Sequence, residues 1–383
     1  MQFRICGGDD NMPIYKLNDV CEFITDGTHQ TPTYCEDGGV IFLSSKDVTS
    51  RKIDWENAKH IPDELHAKLY KRLAPQRNDI LLAKNGTTGV AAIVDRDDIF
   101  NVYVSLAVLR PKKEIYPHYL LYAINSSVAK RQFNAGLKGI GVPNLHLSVI
   151  RNARINVCHY EQQVKICDRL EKISNIIEAR KQELQLLDDL IKARFVELFG
   201  DENNSKNWDI VNVEEVADVQ VGVVIKPSQY YTDERNGIRA FRSLNVGAGF
   251  IKDDDWVYFT EEGHRKNSKS ILKENDLLIV RSGAPGTSCV VTGEYAGYNA
   301  IDIIIAHPDC EKVNPYYLCT FTNMPHGKKQ IDEGTGGAAQ QHFNVGKYNK
   351  LQLMLPPKVL QDEFAEFCKQ TDKSKFHTEE NII

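Results

Sequence analysis

The sequence lacks the long apolar run and the paired cysteines that mark membrane and disulfide-stabilised proteins. No stretch of about 18 apolar residues occurs, and the N-terminal segment has no apolar core of a signal peptide. Its nine cysteines are scattered singly, without a Cys-x-x-Cys pair or a zinc spacing, which favours reduced thiols. The eleven histidines form no ligand cluster. We therefore expect a cytoplasmic protein that contacts no membrane and has neither a metal site nor a cofactor.

The excess of acidic over basic residues is also small, since the net charge of the 383-residue chain is only −5. Its distribution is uneven. Eight basic residues against one acid lie between Ile99 and Cys158, and six lysines against two acids lie between Lys312 and Lys358. Either stretch alone is typical of a solvated surface. Their recurrence at matching places in two halves favours a surface that binds phosphate.

One strand-turn-strand motif occurs twice in the chain. Residues 78–94 read NDILLAKNGTTGVAAIV, and residues 275–291 read NDLLIVRSGAPGTSCVV. Gly86 and Gly89 thus recur as Gly283 and Gly286, and three further pairs of segments match at almost the same offset. A constant offset over so long a stretch predicts the duplication of a whole globular domain, because the period is far too long for a solenoid.

Each copy combines short strand patterns with helices. A helix is predicted to begin near Pro117 and again near Pro315, since proline suits a first helical turn. Strand patterns in the first copy lie at 40–43, 80–83, 90–94 and 103–109. The expected fold class is α+β, with two homologous mixed α/β domains.

The clearest pattern lies between the two copies. Apolar residues recur there in two interleaved seven-residue series, which predict a coiled-coil seam. The seam residues are Ile166, Leu170, Ile173, Ile177, Leu184, Leu187, Ile191 and Leu198. No proline or glycine occurs from Tyr160 until Gly200, so we expect one helix about 55–60 Å long.

Such a helix requires a partner for its apolar stripe, and the segment after the second copy offers one. Phe364 and Phe367 continue the seam there. We expect about fifteen to eighteen helical residues in this segment, which is too few to cover the first helix. The uncovered seam predicts contact with another chain, including self-association, or a shortened sequence.

In this order the elements resemble the DNA-specificity (S) subunits of type I restriction-modification systems. The resemblance covers the residues from Ile14 to Phe376. It rests on DGTHQTP at 26–32, on a Phe-x-Ser-x-x-x-Val strand from Phe42, on the repeated turn, and on closing strands that run into helices. The second copy departs from the first by having VQVGVVIKP where the first has ITDGTHQTP, which indicates a different target.

The resemblance implies that each copy is a target-recognition domain reading one half of a bipartite, gapped site in double-stranded DNA. The two helices are implied to form an antiparallel coiled coil. Separate modification and restriction subunits are implied to supply methylation and cleavage. The implied boundaries are 13–158 and 208–356 for the recognition domains, 159–200 for the long spacer helix and 357–383 for a shortened C-terminal helix.

Polar side chains in the loops are the candidate DNA contacts, because Asn, Gln, Arg, Lys, Ser and Thr side chains bind base edges and phosphates. The alternative for these segments is a structural hairpin or a flexible surface loop, and the glycines are expected to serve turn geometry. The candidates are Thr28, His29, Lys46, Lys84, Asn85, Thr87, Thr88, Lys138, Asn144 and His146 in the first copy, and Lys226, Arg242, Arg281, Ser282, Gln340, Gln341 and His342 in the second.

An enzyme is the rival class. An amino-methyltransferase requires an Asp/Asn-Pro-Pro-Tyr/Phe site, and the nearest strings are NPYY at 314–317 and LPPK at 355–358. Both are interpreted as helix starts, and no nuclease motif or P-loop occurs, so no catalytic residue is predicted. A coiled-coil DNA-binding or scaffold protein without methyltransferase partners stays open as the alternative.

Overall fold

The computed structural model describes residues 12–35, 38–49, 51–137, 144–335 and 343–380. The chain divides into two compact units, of which unit 1 ends at Ile176 and unit 2 begins at Ile177. Among the residues described, none of the helices combines the length and the apolar character needed to span a membrane. The domain boundaries given above stay a prediction.

Unit 1 contains strands that form one four-stranded sheet in the order β2-β10-β7-β8 and a three-stranded sheet in the order β6-β3-β9, with β1 pairing β11 and β4 pairing β5. Its strands are β1 (Ile14–Lys16), β2 (Cys21–Asp26), β3 (Val40–Leu43), β4 (Val48–Thr49), β5 (Lys52–Ile53), β6 (Lys59–Ile61), β7 (Ile80–Ala83), β8 (Ala91–Ile93), β9 (Phe100–Val102), β10 (Leu106–Pro111) and β11 (Arg154–Asn156). Its helices are α1 (Leu17–Val20), α2 (Asp63–Arg72), α3 (Pro117–Ile124), α4 (Ser127–Ala135), α5 (Leu147–Asn152) and the first part of α6 (Tyr160–Phe199).

Unit 2 repeats this arrangement, with four-stranded sheets in the orders β13-β20-β17-β18 and β14-β16-β15-β19 and with β12 pairing β21. Its strands are β12 (Asp209–Asn212), β13 (Ala217–Val221), β14 (Tyr231–Thr232), β15 (Ile238–Phe241), β16 (Val257–Phe259), β17 (Leu277–Val280), β18 (Ser288–Val290), β19 (Asn299–Ala300), β20 (Ile303–Pro308) and β21 (Gln352–Leu355). Its helices are the last part of α6, then α7 (Glu261–Lys266), α8 (Pro315–Asn323), α9 (Pro325–Thr335), α10 (Val345–Asn349) and α11 (Lys358–Glu380). The predicted duplication and the α+β class are confirmed.

The strand of the repeated motif is buried on both faces. In β7, Ile80 and Leu82 pack into the core under the helices, whereas Leu81 and Ala83 pack into the core shared with the three-stranded sheet. Strand β17 alternates between two cores in the same way. Successive strand residues point to opposite faces, so a strand between two cores is continuously apolar.

The polar residues of the repeated motif serve the backbone. Asn78 and Asn275, which precede β7 and β17, have φ of 73° and 74°, a left-handed conformation that asparagine tolerates well. The next residue is a buried aspartate in both copies. Asp79 receives two bonds of 2.8 Å from the Arg110 guanidinium, and Asp276 lies 2.5 Å from Nδ1 of His307. The Asn-Asp pair is therefore framework.

A glutamine fixes the start of each long helix to its own unit. The Gln163 side chain accepts a bond from the Tyr116 N–H and donates to the carbonyl oxygens of Glu114 and Cys158. In unit 2, Gln361 bonds the corresponding backbone groups around Asn314. Near the start of each helix, a buried side-chain amide thus forms hydrogen bonds with the backbone groups of the adjoining loop.

Helices α6 and α11 pack together within unit 2 around an aromatic cluster. Phe199 is fully buried against Phe195, Tyr317 and Phe364, with ring centroids 4.6 to 5.5 Å away. Helix α11 has 23 residues, more than the fifteen to eighteen expected, and is shorter than the 40-residue α6. Packing within unit 2 stabilises its turns as far as Thr371, which is buried.

The predicted seam is only partly covered in this chain. Of its α6 residues, Ile166, Leu170, Ile177, Leu184, Leu187, Ile191 and Leu198 are half-buried and Ile173 is exposed. On α11, Phe364 is buried and Phe367 half-buried, while Cys368 and Thr371 are buried. The large apolar residues Ile176, Leu186 and Leu190 of α6 are also exposed. The middle of α6 therefore keeps apolar surface that packing among the described residues does not cover.

A half-buried carboxyl on α11 predicts a pH dependence of stability. Burial raises the pKa of Asp372 above its ordinary value of 3.8, although Lys375 at 3.3 Å acts in the opposite direction and Asp188 on α6 adds to the rise. The folded unit favours the protonated form, so this contribution is complete below pH 3.8 and is lost as the pH rises through the folded pKa. We expect Asp372→Asn to remove that loss, so that its free energy of unfolding in urea rises relative to that of the unsubstituted protein as the pH increases above 3.8.

The matched control is Asp189→Asn on the exposed face of α6. Hydrogen bonds from Lys192 and Gln185 lower the pKa of Asp189, so its contribution is present above its ordinary pKa and is lost on acidification. The free energy of unfolding of Asp189→Asn, relative to the unsubstituted protein, should therefore fall as the pH rises. This change is opposite in sign to the one expected for Asp372→Asn. A difference between Asp372→Asn and the unsubstituted protein that does not change with pH would contradict the assignment.

Candidate nucleic-acid interface

Three loops of unit 1 meet at one end of its four-stranded sheet. Because β10 is antiparallel to both β2 and β7, the end of β2 at Asp26 and the end of β7 at Ala83 lie beside the start of β10 at Leu106. The loop before α5 joins them, since the Leu145 N–H donates to the Lys84 carbonyl oxygen at 2.9 Å. We call this end of the β2-β10-β7-β8 sheet, and the same end of the β13-β20-β17-β18 sheet, the loop edge. It brings together residues from the three loops that the sequence predicts to contact DNA.

Unit 2 has the same loop edge. The end of β13 at Val221 and the end of β17 at Val280 lie beside the start of β20 at Ile303. The loop before α10 joins them through the Phe343 N–H, which donates to the Arg281 carbonyl oxygen at 3.0 Å. The two sets of candidate residues therefore occupy equivalent places on one framework.

The residue after the repeated strand is a cation in both units, and each cation is held in an ion pair. Lys84 Nζ lies 2.5 Å from Asp26 Oδ2 and donates to the Val104 carbonyl oxygen at 3.2 Å. Only 8 % of the Lys84 side chain is exposed. Arg281, which follows β17 as Lys84 follows β7, forms an ion pair with Asp302. Contact of either cation with DNA stays a prediction, and the geometry favours a role in holding the loops in position.

The other candidates differ in exposure. His29, Lys46, Thr87, His146 and Lys226 are exposed, whereas Thr28, Asn85, Thr88, Asn144 and Ser282 are half-buried. An isolated bridge pairs Asn85 with Asn144, so these two lie together at the loop edge. Lys138, Gln340, Gln341 and His342 lie outside the described residues. Only the exposed side chains present their polar groups to a ligand without a change in the fold.

The turn that carries Lys46 belongs to the same loop edge. The Ser45 N–H donates to Oγ of Ser105 at 3.0 Å, and the Ser105 carbonyl oxygen accepts a bond from the Lys84 N–H. In unit 2 the corresponding turn follows β15 and carries Arg242, which forms an ion pair with Asp255 at 3.1 Å. Lys46 is thus presented outward, whereas the Arg242 guanidinium is partly occupied by Asp255 of its own loop.

Two basic residues at the loop edge were missed by the sequence reasoning. Arg72 at the end of α2 donates to the carbonyl oxygens of Asp26 and Gly27, at 2.5 and 2.9 Å. In unit 2, Lys328 on α9 donates to the Pro285 carbonyl oxygen within the repeated turn, and burial lowers its pKa. Both lie more than 40 residues from their partners, so no local pattern marks them.

The histidines also form repeated contacts. Nδ1 of His66 lies 2.7 Å from Oδ1 of Asn101, and Nδ1 of His264 lies 2.7 Å from Oδ1 of Asn299. These pairs tie α2 and α7 to neighbouring strands. Among the residues that the structure describes, no three His, Cys, Asp or Glu side chains are grouped to hold a metal ion.

The two strings nearest to a methyltransferase motif are helix starts, as predicted. Asn314 caps α8, with its side-chain oxygen accepting a bond from the Tyr316 N–H at 3.0 Å. Helix α11 begins at Lys358, directly after the two prolines of LPPK. Both strings thus have a structural explanation.

The chain is similar to known proteins over nearly its whole length. The family model described as the type I restriction modification DNA specificity domain matches residues 9–188 and again residues 205–383. A specificity subunit of the type I restriction enzyme MjaVIII of Methanocaldococcus jannaschii is 22% identical over 323 residues, covering 79% of this chain and 74% of that protein. The EcoKI specificity subunit of Escherichia coli K12 is 19% identical, covering 94% and 81%. A type I restriction-modification S subunit from M. genitalium has a TM-score of 0.56 at 12% identity, covering 98% of this chain and 94% of that one.

Proposed function

Because the chain belongs to the type I restriction-modification DNA specificity family, which matches it once in each half, we propose that it selects the DNA target of such a system. The observation that supports this most is one framework carried twice with different side chains at its loop edge. An asymmetric two-part target requires two similar but non-identical readers, and base edges are distinguished by side-chain chemistry. Each unit then reads one half of a gapped double-stranded site.

The chain also requires partners for the reaction. We propose that it carries no catalytic residue, and that methylation and cleavage belong to modification and restriction subunits that assemble on it in the cytoplasm. The exposed apolar side chains of α6, Ile176, Leu186 and Leu190, support a protein-binding role for that helix, since clustered exposed apolar residues mark interaction surfaces. Binding of a second copy of this chain through the same surface is the alternative.

Methylome sequencing tests the proposal directly. Cells that produce this chain together with its modification subunit should carry methyl groups at one motif made of two short specific parts and a gap. Cells that produce the modification subunit alone are the control and should lack this motif. Methylation at a continuous motif, or methyl transfer by the purified chain alone, would contradict the proposed role.

A further inference from the structure

The loop that leaves the loop edge after β2 and the loop after β13 begin with the same backbone contacts. A Cβ atom on Gly27 would lie 1.9 Å from the Val102 carbonyl oxygen, and one on Gly222 would lie 2.2 Å from that of Ala300. Any side chain at either glycine would therefore clash with backbone. The two glycines thus occupy equivalent positions and fix the correspondence between the loops.

The next residue confirms this correspondence. The Thr28 N–H donates to the Val102 carbonyl oxygen and its own oxygen accepts from the Val104 N–H. Val223 makes the same pair of bonds with Ala300 and Asp302. The next three residues are matched by their order, because a proline follows them in both loops, Pro32 or Pro227. The backbones differ at the third of them, where Lys226 has φ of 44°.

The matched side chains have opposite chemistry. His29, Gln30 and Thr31 of unit 1 correspond to Val224, Ile225 and Lys226 of unit 2. The side chain of His29 is 69% exposed and Gln30 is also exposed. Their apolar counterparts, Val224 and Ile225, are 49% and 79% exposed. An isoleucine exposed to this extent contributes little to folding, so its apolar surface is available for a ligand.

A second position shows the same replacement. The turn after β3 presents Lys46, and the matched residue in the turn after β15 is Leu244, which is 57% exposed. That turn lies at the same loop edge, because the Ile301 N–H donates to the Phe241 carbonyl oxygen and Ile301 pairs with Val223. Unit 2 therefore presents apolar side chains at two places where unit 1 presents polar ones.

Cations accompany this apolar surface. Lys226 follows Ile225 directly and is exposed. Arg242, two residues before Leu244, forms its ion pair with Asp255 and keeps 28% of its side chain exposed. In the major groove, thymine is distinguished by its 5-methyl group, which apolar side chains contact, while lysine and arginine bind the phosphates beside it. A purely hydrophobic protein partner has no use for these flanking charges.

We propose that Ile225, with Val224 and Leu244 beside it, contacts thymine methyl groups and makes unit 2 specific for A·T pairs in its half-site. Unit 1 uses hydrogen-bonding side chains, including His29 and Gln30, at the same place. This inference rests on the proposed function, because it assigns the chemistry by which one reader recognises its bases.

Deoxyuridine provides a direct test, because it differs from thymidine only by the missing methyl group. The complex of this chain with its modification subunit is titrated with duplexes in which each thymine of both half-sites is replaced in turn. For at least one thymine, binding should weaken by about three- to fivefold, the effect expected for one buried methyl group. The Ile225→Ala complex should bind the thymine duplex more weakly by the same factor and should bind thymine and uracil equally.

Val359→Ala is the matched control, since Val359 is an equally exposed aliphatic residue of unit 2, on α11 away from the loop edge. It should preserve the difference between thymine and uracil. The inference is wrong if no thymine replacement affects binding, if Ile225→Ala keeps the difference, or if the half-site read by unit 2 has no A·T pair. Failure of the unsubstituted complex to prefer any two-part DNA site would instead overturn the proposed function itself.

Discussion

Replacing Asp26 with alanine should lower the free energy of unfolding of unit 1 by about 3–5 kcal/mol, the range for breaking a buried ion pair from one side. The Lys84 ammonium would keep its buried position without its carboxylate, and Arg72, 3.9 Å from the same carboxylate, would lose a partner. Chemical denaturation of the full chain, followed by a signal from unit 1, measures the effect. His29→Ala is the control, because it removes an exposed contact of Asp26 and leaves the ion pair intact.

A double variant separates the structural role of this pair from a role in reading DNA. Asp26→Ala combined with Lys84→Met removes both charges, and apolar replacement of a whole buried pair is often neutral. We expect the double variant to regain most of the lost stability and to keep recognition of both half-sites. If it folds normally but loses one half-site, Lys84 contacts DNA itself, and the positioning role is wrong.

Replacing Phe199 with alanine should destabilise unit 2 by about 3–5 kcal/mol, the range for deleting a fully buried phenylalanine. Phe199 packs edge-to-face on Tyr317, with ring centroids 4.6 Å apart, and also on Phe195 and Phe364. Its loss leaves a cavity where α6, α8 and α11 meet. The free energy of unfolding of unit 2 in guanidinium chloride measures the change.

Val196→Ala is the control for the aromatic cluster, because Val196 lies on the exposed face of α6, three residues from Phe199. It should change stability by less than about 0.5 kcal/mol, as is usual for surface sites. Equal losses in the two variants would show that helix propensity, and not packing against α8 and α11, explains the effect of Phe199→Ala. A small loss in both would show that the cluster is not tightly packed.

Features with a local physical cause were predictable from the sequence. The left-handed Asn78 and Asn275 and the turn glycines depend on the conformational freedom of single residues. The helix that ends before Gly200 depends on an uninterrupted run without proline or glycine. The duplication was evident because one framework requires the same residues twice, and the family follows from the order of these elements.

Features that depend on distant partners were decided only by the tertiary structure. Lys84 and Asp26 are 58 residues apart, and only the folded sheet shows that they form a buried ion pair. Helix α11 is longer than the fifteen to eighteen residues expected from the sequence. The sequence by itself determined that there are two readers and which loops vary between them. The folded sheet decided which of those side chains face outward, because only the pairing of β2, β10 and β7 brings separate loops to one edge.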